Sequence, residues 1–271
     1  MAYTTIDDPS AYFQSTIYTG SGSDDLVVTN VGNSDLQPDF IWIKSRSIIG
    51  QHVLSDTSRG ILKVLNSNSY AAEDSNSEGE MIKSVQSDGF TLGDSAAGQG
   101  DTNSTSSATY VAWQWLANGG SRTTNAEVGD NPAGGYQANT TAGFSIVDYT
   151  GTGAAGTMAH GLGAVPDCII IKNRSAATDW MVYHASNTAA PETDNLTLNE
   201  TSATADASTM WNDTAPTSTV FSLGTHDRTN DDSETLVAYL WTDIQGYSKF
   251  GGYTGNGDAD GAFNYTGFKP A

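Results

Sequence analysis

Four histidines, His52, His160, His184 and His226, are the first residues to test for metal or acid–base chemistry. Zinc sites usually declare themselves by short ligand spacings such as H-x-x-x-H, which put two ring nitrogens on one face or one turn. None of these histidines has such a neighbour. His160 stands in Ala159-His160-Gly161-Leu162-Gly163, where a side chain capping a tight turn is the plain reading. Acidic loops are better metal candidates: Asp24-Asp25, Asp231-Asp232 and Asn256-Gly257-Asp258-Ala259-Asp260-Gly261 offer the oxygen ligands that calcium accepts. Only the last resembles D-x-D-G, which makes Asp258 and Asp260 weak metal candidates, and it lacks the downstream Glu of a complete calcium loop. A solvated acidic turn is the competing reading, and no cofactor is expected.

Nucleophilic chemistry finds as little support. The single cysteine, Cys168, sits inside a run of aliphatic residues, where it reads as a small buried hydrophobe; alone, it also excludes an intrachain disulfide framework. No G-x-S-x-G elbow accompanies the many Ser and Asp residues. A carboxylate pair for glycoside hydrolysis is defined by separation in space, so a depolymerase stays open as the last-ranked reading. Of the six tryptophans, Trp42, either Trp113 or Trp115, and Trp241 fall in strand-like runs and read as core. Trp211, in Met210-Trp211-Asn212-Asp213, is the one whose surroundings suit an exposed platform for stacking a sugar ring, with core or intersubunit packing as the alternative. The chain is therefore expected not to be an enzyme.

The elements that would position any site come from a repeat. Leu36-Gln37-Pro38-Asp39-Phe40-Ile41-Trp42-Ile43-Lys44-Ser45-Arg46-Ser47 recurs as Ala164-Val165-Pro166-Asp167-Cys168-Ile169-Ile170-Ile171-Lys172-Asn173-Arg174-Ser175, the two prolines lying 128 residues apart. Pro cannot donate to a ladder, so Pro-Asp marks the entry of a short buried strand, and Lys-x-Arg-Ser its polar exit. Tyr18-Thr19-Gly20-Ser21-Gly22, Tyr149-Thr150-Gly151-Thr152-Gly153 and Tyr253-Thr254-Gly255-Asn256-Gly257 read as three equivalent hairpin corners. Segments starting at Ser87 and Thr109 match those starting at Ser218 and Thr235, at offsets of 131 and 126 residues. Four matches in one order at nearly one spacing point to duplication.

Short strands with period-two alternation, as in Tyr110, Ala112 and Gln114 against Val111, Trp113 and Trp115, predict an all-β chain of tandem β-sandwich repeats of jelly-roll or lectin-like type. The boundaries read as an N-terminal arm over 1–14, repeat 1 over 15–118, a Gly-, Asn- and Thr-rich linker over 119–141, repeat 2 over 142–245, and the start of a third repeat over 246–271. Each repeat is expected to have its own core. Arg59 to Leu65 is the one short helical candidate, and long loops are expected over 67–80, 95–107 and 188–213. The arm is either a frayed terminus or a tether whose Tyr12 and Phe13 pack on a neighbouring subunit. The third repeat stops where a buried strand should follow, so the chain is expected to continue in a longer protein or to be completed by another chain.

With 31 acidic against 11 basic residues, a formal charge of −20 and a pI near 4.1, the surface should repel nucleic acid and anionic membranes. No basic segment followed by an apolar run opens the sequence, and no apolar stretch is long enough for a membrane-spanning helix, so no membrane insertion is expected.

The Met-Ala-Tyr-Thr-Thr-Ile-Asp-Asp-Pro-Ser start with Tyr12-Phe13-Gln14, the Pro38 to Lys44 strand, Asp88-Gly89-Phe90-Thr91-Leu92-Gly93, Tyr110-Val111-Ala112-Trp113 and His160-Gly161-Leu162-Gly163-Ala164-Val165-Pro166 follow one another in a telling order. That order resembles a repeated β-domain of tailed-bacteriophage virion proteins, especially of marine phages, of tail-fibre or virion-associated type. The resemblance spans essentially the whole chain. It implies a lectin-like β-sandwich in a virion appendage, made in the host cytoplasm and assembled as an oligomer, with a trimer implied for a fibre. Its partners would be other virion proteins, a tail adaptor or the capsid, and a host-surface receptor such as a glycan. A capsid fibre or decoration protein, and a free-standing carbohydrate-binding module, are the alternatives.

Overall fold

Alternate residues of the two Pro-Asp strands face different buried layers, and this shapes the whole molecule. The computed structural model of the chain describes residues 4–75, 81–94, 101–104 and 107–269. The first half contributes β1 (Phe13–Thr19), β2 (Leu26–Val28), β3 (Phe40–Ser45), β4 (His52–Asp56), β5 (Lys63–Asn66), β6 (Asp74–Ser75), β7 (Ile82–Gln86), β8 (Gly89–Leu92) and β9 (Thr109–Trp115). The second contributes β10 (Thr123–Asn125), β11 (Gly134–Asn139), β12 (Phe144–Thr150), β13 (Gly156–Ala159), β14 (Cys168–Asn173) and β15 (Met181–His184). It continues with β16 (Asp194–Thr197), β17 (Ala205–Asp206), the single-turn helix α1 (Ser208–Trp211), β18 (Val220–Leu223), the single-turn helix α2 (Asp227–Asn230) and β19 (Thr235–Trp241). The chain is all-β, with several antiparallel sheets in sandwich packing.

The first large sheet runs β1-β9-β3-β4-β5-β6, and the second runs β12-β19-β14-β15-β16-β17 with β11 and β10 added outside β12. The two copies of the Pro-Asp motif, β3 and β14, thus hold corresponding places. Phe40 is opposite Trp115 in one sheet, and Cys168 is opposite Trp241 in the other. Matched side chains also make matched hydrogen bonds. Tyr18 Oη donates to the Thr102 carbonyl at 2.8 Å, and Tyr149 Oη to the Thr229 carbonyl at 2.7 Å. The buried Asn103 amide donates to Ser23 and Gly93 carbonyls and accepts from the Ser21 N–H. Asn230 does the same with Ala154, Gly224 and Thr152. Each Asn clamps one Tyr-Thr-Gly-x-Gly corner, which the backbone alone would leave with orphaned polar groups.

The outward faces bear separate cores. Ile41, Ile43, Tyr110 and Ala112 pack under the small sheet β2-β8-β7. Ile169, Ile171, Ala238 and Leu240 pack under the pair β13-β18 and under α1. The inward faces do not remain apart. Phe40, Leu54 and Leu65 of the first sheet join Phe144, Ile146, Trp180, Val237, Tyr239 and Trp241 of the second in one buried cluster. Phe40 lies at its centre, with ring centroids 4.3 Å from Tyr239 and 5.9 Å from Phe144. Each half thus has a core of its own, as expected, and the structure adds a third, middle layer shared by both, so that the halves stand back to back rather than as beads on a thread. The strands β14 and β19 are buried on both faces, whereas β1 and β9 keep the period-two alternation, with Gln14, Thr16, Tyr110, Ala112 and Gln114 buried and Ser15 and Ile17 exposed.

Charged groups staple the same junction. Asp56 accepts from Arg59 Nε at 2.5 Å and from Tyr239 Oη of the other half at 2.7 Å. Glu73 accepts from Arg59 Nη1 at 2.7 Å and from both Nε and Nη2 of Arg174 at 2.8 Å. Trp180 Nε1 reaches back to the Asn66 and Ser69 carbonyls. Because each charge here is paired and hydrogen-bonded, its burial is tolerated, and loss of one partner would strand another.

Residues 119–141 differ from the linker reading, since they carry β10 and β11. The chain enters them through a clamp: the buried Asp39 carboxylate accepts the N–H groups of Ala117, Gly119 and Gly120 at 2.8 to 3.0 Å and the Thr57 hydroxyl at 2.9 Å. Positive φ at Gly119 and Gly120 allows this close wrapping. Gln137 of β11 then donates to Ser58 of the first half at 2.6 Å. The helical candidate over 59–65 is a turn leading into β5, with Gly60 at φ 96° breaking any helix. The long loop expected over 188–213 contains β16, β17 and α1, while the loops over 67–80 and 95–107 lie partly outside the described residues. The third corner, over 253–257, forms no strand. Tyr253 within it and Phe263 and Tyr265 beyond it are 74 to 91% exposed.

Candidate functional site

The two inward faces touch around Phe40 and splay apart beyond it, leaving a cavity of about 570 Å³. Phe13 of β1, Trp42 of β3 and Trp115 of β9 wall one side; Cys168 and Ile170 of β14 and Trp241 of β19 wall the other. These positions follow from register, because each residue is of the inward-facing parity on its strand. Phe13 and Trp115 lie opposite one another with rings 4.9 Å apart, and Trp115 meets Trp241 edge-on at 6.0 Å.

Two flanking segments close the cavity. Pro9 belongs to a single 3-10 turn, Pro9–Ala11, capped by Asp8, whose carboxylate accepts from the Ser10 N–H at 3.0 Å and the Ser34 hydroxyl at 2.7 Å. Those hydroxyls of Ser10 and Ser34 hold the Asp8 carboxyl below the usual carboxylate range. From the other end, residues 246–250 fold over Trp241, pinned where Asp243 accepts the Phe250 N–H at 2.6 Å and Asp167 accepts the Asp243 N–H at 2.7 Å. Phe268 and Lys269 complete the rim. Burial pushes the Cys168 thiol up to about 12, with Asp167 adding to it, so the sulfur is a wall atom and not a nucleophile at neutral pH. Burial likewise raises the Tyr247 hydroxyl, with Tyr12 contributing.

Three of the residues singled out from sequence pack within the chain. Trp211 is 2% exposed, its Nε1 donating to the Asp194 carbonyl at 2.9 Å and its ring edge-on to Tyr183. A ring so enclosed offers no platform to a sugar, and the binding role is corrected to a core one. Its loop misleads because Asn212 and Asp213 take the left-handed conformation, turning the chain so that α1 points inward. Tyr12 and Phe13 are not frayed: Phe13 opens β1 against Trp115, and Tyr12 packs edge-on to Tyr247 of its own chain at 6.4 Å.

The metal candidates Asp258 and Asp260 lie on an exposed turn that Asn256 closes by donating to the Gly261 carbonyl at 2.9 Å. Among the described residues no three acidic, His or Cys side chains converge as a metal site would require. Asp24 and Asp25 are instead drawn to Lys83, at 2.8 and 2.7 Å. His160 caps its turn by accepting the Leu162 N–H on Nδ1 at 3.2 Å, while Nε2 faces the Thr217 carbonyl. Burial lowers its pKa, the Thr217 contact opposing, which favours the neutral ring that this pattern needs. The cavity itself went unseen in the sequence because its walls come from five separate stretches; the recurrent aromatics at the inward parity are the only signal for it.

Fold and site together define an all-β protein of packed antiparallel sheets, its two halves joined through an aromatic layer that opens into an apolar cavity. The chain belongs to the family described as a domain of unknown function, DUF7483, whose model matches residues 8–271. Comparisons with curated proteins and with solved structures found no match.

Proposed function

We propose that this chain is a non-enzymatic structural protein of a bacteriophage virion, of tail-fibre kind, held on the particle through its N-terminal part and serving host attachment. The observation that carries the reading is the fused middle layer, in which both rings and ion pairs are committed to joining the halves. Such a block transmits load without bending between its units, which suits an appendage, and its polar groups are engaged in internal clamps. The sequence resemblance supplies the virion context. The mechanism differs from a rod of loosely joined beads: stiffness would come from each fused pair, and multivalency on the particle would amplify weak contacts at exposed loops. Partners are then other virion proteins, further copies of the chain, with a trimer the fibre-like arrangement, and a host receptor.

A head fibre or decoration protein uses the same block on the shell. The carbohydrate-binding reading is weaker, since Trp211 is enclosed and the cavity walls carry few of the hydrogen-bonding groups that a sugar needs. Gold-labelled antibody against the folded chain, applied to purified particles under the electron microscope, is expected to mark tail appendages. Label on the shell would shift the assignment to decoration, and particles free of label would overturn the virion reading.

A further inference from the structure

We infer that the cavity between the large sheets is a binding site for a single-chain anionic amphiphile, a molecule with a fatty-acid-like tail and an acidic head. This goes beyond the virion reading and does not depend on it. Its volume of about 570 Å³ lies within the range of small-molecule sites, about 300–1,000 Å³. Its walls are apolar and largely aromatic, with Trp42, Trp115 and Trp241 around the thiol of Cys168, so water there would find few partners and an apolar chain many.

Charge selects the head group. The chain carries 31 acidic residues, yet none of the described ones lines this cavity, Asp167 and Asp243 being turned to the backbone behind its wall, and among the described residues the one charged side chain on its rim is Lys269. Among the described residues Lys269 is exposed and has no ion-pair partner. The net charge of −20 opposes anions at large, but at this apolar opening the ammonium of Lys269 at the lip is the local charge, and it selects an anionic head over a neutral one and a carboxylate over a sugar. Lys249, the nearest basic residue in sequence, is already engaged by Asp243 at 2.5 Å and does not compete.

The test uses the full chain with 1-anilinonaphthalene-8-sulfonate, an aromatic anion, as probe. Saturable binding of one probe per chain is expected, with emission sensitised by the cavity tryptophans. Dodecanoate should displace the probe about tenfold better than dodecanol, and maltose should not displace it. Cys168→Phe and, as a gentler filling, Ala142→Leu should each weaken dodecanoate about tenfold or more while the circular dichroism spectrum is unchanged. Lys269→Ala, at the exposed rim, should bring dodecanoate and dodecanol to within about threefold of each other. The inference is overturned if the wild-type chain shows no saturable binding, if dodecanol competes as well as dodecanoate, or if both folded filling variants bind as wild type does.

Discussion

The two halves share a strand order and a set of clamps, and they differ where they meet. Tyr18 and Tyr149, Asn103 and Asn230, and Asp39 and Asp167 do the same work in each unit, closing its corners and the exit of its central strand. The groups that join the units are matched only in part. Phe40 of the first motif is a ring at the heart of the middle layer, whereas Cys168 in the corresponding place is a small wall of the cavity. The second sheet gains β10 and β11 beside β12, while β1 remains the edge of the first. Lys44 is partly exposed, but its counterpart Lys172 is fully buried, donating to the Asn173 and Ala176 carbonyls at 2.6 and 3.0 Å. The shared clamps therefore serve the unit, while the union combines matched residues, Trp115 with Trp241, and unmatched ones such as Phe40 and Glu73.

The largest effect should come from breaking the union at its centre. Phe40→Ala is expected to cost about 3–5 kcal/mol, because both a ring and its contacts with Tyr239 and Phe144 are lost from a closed layer. Urea unfolding followed separately by tryptophan fluorescence and far-UV circular dichroism should show one transition moving to lower denaturant. Glu73→Ala comes next, at about 3 kcal/mol, since it removes both carboxylate bonds of Arg174 and leaves the buried Arg59 with Asp56 alone as its ionic partner. Burial pushes the Glu73 carboxyl up, but the bond from Arg174 and the charge of Arg59 outweigh it and hold the group below its ordinary value of 4.5. A depressed carboxyl contributes stability that is present above the unfolded pKa and is lost as pH falls through the folded one. The wild-type protein should accordingly lose stability below about pH 4.5 more steeply than Glu73→Gln does, as read by melting temperature against pH.

Smaller changes sharpen the likeness of the halves. Asn103→Ala and Asn230→Ala each orphan the same kind of corner, and each should cost about 2 kcal/mol, the two agreeing within about 1 kcal/mol in denaturant titrations. Lys172→Met should instead stabilise by about 1–2 kcal/mol at pH 7, after allowance for solvent screening. Burial pulls the Lys172 ammonium down from 10.5 to about 8, with Asp179 opposing, so its charge works against folding at neutral pH. That opposition lifts as pH rises from about 8 to about 10.5, and the gap between variant and wild type should close over the same interval. Lys44→Met, at the partly exposed counterpart, should change the melt by less than about 0.5 kcal/mol.

Strand chemistry was the legible part of this sequence. Pro-Asp entries, Tyr-Thr-Gly corners and period-two runs lie within single stretches, so their meaning is local. The union was not legible, because alternation records that Phe40 and Ile41 face opposite sides and says nothing of what covers either side. Nor could composition distinguish a linker from β10 and β11, since Gly, Asn and Thr suit an added edge hairpin as well as a tether. Trp211 shows the same limit: polar neighbours argue for exposure, yet two left-handed residues fold the ring inward. As for the cavity, it exists only where two sheets diverge.

Native-state hydrogen exchange on the full chain tests the shared middle layer most directly, by comparing the amides of Ile41 and Ile43 in β3 with those of Ile169 and Ile171 in β14. One block predicts the same opening free energy in both strands, falling together by about 3–5 kcal/mol in Phe40→Ala. If the β14 amides keep their protection while those of β3 lose it, the halves fold independently and the account of a fused double sandwich is wrong.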